Sequence, residues 1–281
     1  MTPSLDGSNL ADSDTAIALL VVAPNLVGLF LLWRRVVRPA ARPAPQRLTA
    51  WTAPVTDFLL FLLFGILGGL GAGAVAGRIL EHFRRFDDDV RLLAAGAALQ
   101  VGVLLGAAAY YLGIHRRRPW PAQPAAGPAP SIWLSGIATF FISLPLVNAA
   151  SLAWQGVLNL LGFPVEKQAM IDLLIYDHSP VARTLLVLLA TLGAPVMEET
   201  IFRLGFFRYL RTRVPRWCAF LLPAMLFGAA HTSLSSFAPL VVLGLVFSFA
   251  FERTGRIGTT MVAHGLFNLN TIILILSGIT N

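Results

Sequence analysis

The chain has 281 residues, 56% of them hydrophobic and 12% charged, with a mean hydropathy of +0.73. A soluble domain carries about twice that charged fraction, so composition excludes a soluble core and indicates a polytopic membrane protein. The net charge of +7 comes from arginines set between apolar runs, with Lys167 the single lysine, so it reads as membrane topology and no nucleic-acid partner is expected.

The N-terminal stretch "MTPSLDGSNLADSD" is acidic and lacks a basic residue, so no cleavable signal peptide is expected. Eight apolar stretches then follow that are long enough, or nearly so, to span a bilayer: 15–33, 55–77, 92–113, 132–154, 181–207, 217–233, 236–252 and 257–279. The fifth is interrupted by charge and the seventh is short. "RPAARPAPQR" and "RRRPWPAQPAAGPAPS" are too proline-rich for helix and join spans one to two and three to four. Segment 155–180 is too polar to cross and is expected to be an amphipathic helix in the interface. The fold expected is therefore all-α, with about eight transmembrane helices and one interfacial helix.

Connections after spans one, three, five and seven hold fifteen Lys and Arg, against six on the other side. The positive-inside rule then puts both termini outside. Trp33, Trp51, Trp133, Trp154 and Trp217 fall near span ends, where indole prefers to sit. Cys218 is the lone cysteine, which excludes an internal disulfide and a site built on several thiolates.

Ionisable residues well inside the spans are Glu198, Glu199, Arg203, His231 and His264. Such groups are functional candidates, because desolvating a charge in hydrocarbon costs several kcal/mol, on the order of 3 or more. Neighbouring helix residues diverge by about 100°, so Glu198 and Glu199 cannot share a face. Glu199 and Arg203 stand at i and i+4, acid first, the favoured order for an ion pair. That leaves Glu198 without a local cation, as suits a general base, and Pro195 just before it loosens the helix. In "FGAAH", Phe227 and His231 share a face; in "HGLFN", His264 and Asn268 do. An imidazole and a carboxamide on one face suit an oxyanion site. Counting about 1.5 Å per residue, Glu198, His231 and His264 lie at depths that agree to within roughly 11 Å, toward the cytosolic half.

Blander readings stand beside these. His231 or Asn268 alone is as readily inter-helix glue, and Glu199–Arg203 reads as structural support. "FRRFDDDVR" reads as a solvated loop. No His-Glu-x-x-His or Gly-x-Ser-Gly occurs, and Tyr176-Asp177 lacks the second half of an aspartyl protease signature.

Taken in order, "EETIFR" (198–203), "FGAAH" (227–231) and "HGLFN" (264–268) resemble the CaaX-protease and bacteriocin-processing family of intramembrane endopeptidases, also called abortive-infection proteins. The likeness covers about 131–281, an endopeptidase core; 1–130, with spans one to three, lies outside it. One departure is Leu204, which stands between Arg203 and Gly205. The resemblance implies a glutamic-type endopeptidase in which Glu198 with His231 activates water and His264 with Asn268 holds the oxyanion. Glu199 and Arg203 would support them. It implies a peptide or protein substrate at the membrane: a prenylated C-terminus, a leader peptide or a membrane anchor. No cofactor is expected; a zinc site on Glu198, His231 and His264 is the alternative within this likeness. A non-catalytic scaffold, immunity or chaperone protein of the same fold, or a carrier using Glu198 as relay, are the competing classes.

Overall fold

The computed structural model describes residues 15–39, 47–49, 51–82, 87–117, 130–164 and 179–279. Eight helices lie among them: α1 Thr15–Val37, α2 Val55–Glu81, α3 Asp88–Gly113, α4 Ile132–Leu160, α5 Pro180–Leu210, α6 Arg216–Ala230, α7 Leu234–Thr254 and α8 Ile257–Leu276. All but α6 are long and apolar enough to cross a membrane. The molecule is an all-α polytopic membrane protein.

The structure corrects two expectations about its spans. The short crossing is α6, not the seventh stretch. At 15 residues α6 is about 22 Å long, less than a hydrocarbon core of about 30 Å. It ends because Thr232 adopts a left-handed φ of 53°, and Ser233 then caps α7 by accepting from the Ser236 amide. α7 reaches 21 residues and stops at Gly255, which has a φ of 64°. Residues 155–160, expected in an interfacial helix, instead continue α4. The rest of that expected helix, 165–178, lies outside the described residues, and α5 starts where Ser179 caps it and Pro180 takes the first helical position.

Lipid supplies no hydrophobic drive between helices, so close backbone packing must hold them. In the α2–α3 hairpin, a Cβ on Gly102 would lie 2.2 Å from the Gly68 carbonyl oxygen, and one on Gly106 would lie 1.9 Å from that of Phe64. Glycine is what lets these two backbones touch. On the opposite flank α1 seats Gly28 on the Phe141 carbonyl of α4, which Pro145, four residues on, cannot bond for want of an N–H. Asn148 donates to Asn25 across the same contact.

One face gathers the arginines. Arg208 donates to Thr49, Arg213 to the Trp51 carbonyl, Arg253 to the Arg35 carbonyl and Arg256 to the Pro130 carbonyl. The ends of α1, α5 and α7 therefore meet the starts of α2, α4, α6 and α8 at one surface. Trp51, Phe58, Phe61, Tyr110 and Tyr209 pack beneath it as an aromatic cluster. At the opposite surface Trp154 donates to the Leu234 carbonyl, pinning the α6–α7 turn to α4.

Candidate active site

α5 is one continuous helix with two loosened stretches. Leu189–Gly193 and Thr200–Phe207 wind as π-helix, and Pro195 stands between them. Inside the first stretch Ala194 N–H reaches back five residues to the Leu189 carbonyl. By the same step Pro195 would bond Ala190, but proline has no hydrogen to give. The charge-bearing segment thus begins where α5 leaves backbone acceptors unfilled.

α8 fills them. Asn268 Nδ2 donates to the Ala190 carbonyl at 2.7 Å. One turn earlier, Gly265 lies so close that a Cβ there would sit 2.5 Å from the Thr191 carbonyl oxygen. Two residues of "HGLFN" are therefore explained by docking on the π-stretch. Asn268 spends one of its two amide hydrogens there.

His264, on the same helix, faces the acids. Glu199 is fully buried and its Oε1 is held twice, by Arg203 Nη1 at 2.9 Å and by His264 Nδ1 at 3.0 Å. The expected i, i+4 pair exists, and the π-turn favours it: with i→i+5 bonds a turn holds more than four residues, so residues four apart nearly eclipse. Arg203 is itself buried, between the rings of Phe227 and Phe247 at 4.5 and 5.3 Å, with Nη2 on the Gly244 carbonyl at 3.4 Å. The guanidinium is thus held by a carboxylate, two aromatic faces and a carbonyl.

Glu198 points elsewhere, as helix geometry requires. Its Oε2 is buried, lies 3.7 Å from His264 Nε2, and makes no hydrogen bond among the described residues. The side chain as a whole is 17% exposed. The two nitrogens of His264 therefore face two different glutamates: one closely bonded and neutralised, the other at the edge of contact and partly open.

His231 shares Phe227 with His264 as a ring neighbour. Its ring is 4.9 Å from Phe227 and that of His264 is 5.8 Å from it. His231 Nδ1 lies 2.8 Å from the Phe227 carbonyl. A carbonyl only accepts, so Nδ1 carries the proton and, in the neutral ring, Nε2 keeps its lone pair. The position follows from the end of α6: His231 is its last cap, and left-handed Thr232 then turns the chain. No salt bridge within 4 Å joins a His231 ring nitrogen to a carboxylate among the described residues, so the space between Glu198 and His231 is where the expected water would act.

Among the described residues no three His, Cys, Asp or Glu side chains gather as a ligand set. Glu198, His231 and His264 do not fit a three-ligand zinc centre as they stand. Sequence reasoning also missed participants: Gly244 and Phe247 of α7, and the Ala190 carbonyl. A main-chain acceptor has no side-chain signature; Pro195, five residues downstream, was the available clue. Gly205 has a local reason as well, since a Cβ there would lie 2.5 Å from the Phe61 ring.

Three comparisons bear on this site. Residues 180–270 match the family model described as type II CAAX prenyl endopeptidase Rce1-like. The chain is 28% identical over 158 residues to a Bacillus subtilis protein named "Putative membrane peptidase YdiL", covering 55% of this chain and 62% of that one. It is 32% identical over 81 residues to the UPF0177 protein YbdI of Lactococcus lactis, covering 28% of this chain and 43% of that one. The chain thus spans less than two thirds of either relative. No solved structure matches it. The matched segment runs from the start of α5 into α8 and contains every polar group of the site.

Proposed function

We propose that this Rce1-like chain is an intramembrane endopeptidase of the glutamic type, hydrolysing a peptide bond of a substrate held at or in the bilayer. The observation that carries the reading is the unequal pair of carboxylates on His264. Glu199, buried and bound to Arg203, fixes the ring. Glu198, 17% exposed and free of an Arg203 ion pair, is the group fit to take a proton.

In this reading Glu198 removes a proton from water as the oxygen attacks the scissile carbonyl. His231 Nε2 orients that water and shares in its deprotonation. Charge then develops on the carbonyl oxygen. A His264 ring bearing both protons offers Nε2–H there, while its Nδ1–H stays on Glu199. The second amide hydrogen of Asn268 lies on the same helix face and supports the oxyanion. Collapse of the tetrahedral intermediate expels the amine, which takes the proton held by Glu198. Arg203 serves as the counter-ion of Glu199 and does not touch substrate. The arginine-rich surface is assigned to the cytosol by the positive-inside rule, with both termini outside. No metal takes part in this scheme.

The test is cleavage of membrane-anchored fluorogenic peptides by the purified chain in liposomes. Wild-type turnover that Glu198→Gln abolishes, and that chelators leave intact, is the expected result. Glu198→Gln turning over at the wild-type rate would remove Glu198 from the reaction. Activity lost to a chelator and restored by zinc would replace the scheme with a metal mechanism.

A further inference from the structure

A second site lies away from these residues, at the arginine-rich surface. A cavity of about 680 Å³ opens there between the end of α1, the start of α4 and the end of α7. Its rim carries Arg34, Arg35 and Arg38 from α1 and its exit, and Arg253 from α7. Deeper, its wall is uncharged and mostly apolar: Ala138, Thr139 and Ile142 of α4 line it with Val246, Phe249 and Ala250 of α7. It shares no lining residue with the candidate active site.

The rim concentrates like charge. Arg253 Nη1 donates to the Arg35 carbonyl at 2.8 Å, which draws its guanidinium to the chain that bears Arg35, and the two cations repel. Arg34, Arg35 and Arg38 form no ion pair with a carboxylate among the described residues. Glu252, one described carboxylate at this surface, is held by Arg211 and Arg216. Asp57, the other described carboxylate at this surface, is buried in the first turn of α2 beside His115. Such a rim is stabilised by an anion from outside the chain.

Two features say which anion. The cavity is far larger than a phosphate ion needs, and its inner half offers no charge to one. It also sits at the interface level, marked by the exposed indole of Trp33 one residue before Arg34, where lipid phosphodiesters stand. We infer that the α1–α4–α7 cavity binds one anionic glycerophospholipid, its phosphodiester on Arg34, Arg35, Arg38 and Arg253 and an acyl chain along the Ile142–Val246 wall. The lipid then reinforces the Arg253–Arg35 hydrogen bond in tying α1, which is seated on α4, to α7.

Native mass spectrometry of the full chain, purified in detergent and titrated with dioleoylphosphatidylglycerol or dioleoylphosphatidylcholine, tests this. One retained phosphatidylglycerol, with at least about tenfold preference over phosphatidylcholine, is expected. Arg34→Gln with Arg38→Gln should weaken it about fivefold per arginine; Arg34→Lys with Arg38→Lys should keep most of it. Arg116→Gln with Arg117→Gln, on the same surface outside the cavity, should leave it within about twofold. An equal loss in that control would reduce the effect to general surface attraction and overturn the site. So would the absence of headgroup preference in the wild-type chain, which needs no variant to fold. Displacement of the lipid by millimolar inorganic phosphate would show an ion site instead of a lipid site.

Discussion

Two buried glutamates, Glu199 and Glu252, solve the same problem differently. Each side chain is at most 2% exposed, and each is held by two cationic or hydrogen-donating side chains. At Glu252 both partners are guanidiniums, Arg211 at 2.5 Å on one oxygen and Arg216 at 2.6 Å on the other. Its main-chain carbonyl also takes the Arg47 and Leu48 amides. That network is closed, and it staples the α1–α2 connection to α7. At Glu199 one partner is a histidine, whose second nitrogen looks out at Glu198. That network is open at one end. The contrast separates a carboxylate that holds only the fold from one that also positions the proposed reactive group.

Breaking the open network should do most to chemistry. Glu198→Gln should lower peptide turnover on the order of a thousandfold, measured in liposomes, while the thermal midpoint in detergent stays near wild type. Breaking the shared cation should do most to stability. Arg203→Ala leaves Glu199 buried without its counter-ion and should cost about 3–5 kcal/mol in mixed-micelle denaturation, with activity lost as well. Breaking the closed network should be milder. Arg211 and Arg216 are 24% and 52% exposed, so on Glu252→Gln they turn to water. A loss of about 1–3 kcal/mol with turnover per folded molecule kept would mark Glu252 as structural; lost turnover would erase the distinction drawn here. The smallest effect belongs to Asn268→Ala. Losing one hydrogen bond to Ala190 inside the membrane should cost about 1 kcal/mol. A fall in kcat beyond that of an equally destabilised variant would show that the second amide hydrogen serves the oxyanion.

Much of this was legible in the chain itself. The apolar runs mark the helices because each must satisfy its own backbone in lipid. Glu199–Arg203 follows from spacing, and the divergence of Glu198 from the helical angle. What spacing could not give is which partner lies across the gap. Spacing paired Glu198 with His231 about a water; it did not show that Nε2 of His264 lies 3.7 Å from Glu198 Oε2 or that both imidazoles pack on Phe227. Helix counting places residues along an axis; it does not say which ring fills the space between axes. Glu252 escaped notice for a related reason. It stands at the edge of an apolar run, next to Arg253, and looks like an ordinary interfacial acid. Its burial comes from Arg211 and Arg216, about forty positions away in sequence.

Pro195 has a consequence beyond loosening a helix. It acts by subtraction: one hydrogen missing from the main chain creates a vacancy that only a neighbouring helix can fill. α8 answers with an amide at Asn268 and a bare backbone at Gly265, and the register of that answer decides where His264 stands. A Pro195→Ala chain would regain the hydrogen and no longer require the partner. The alignment of imidazole with carboxylates is thus written three residues before the first glutamate, in a residue that bears no charge.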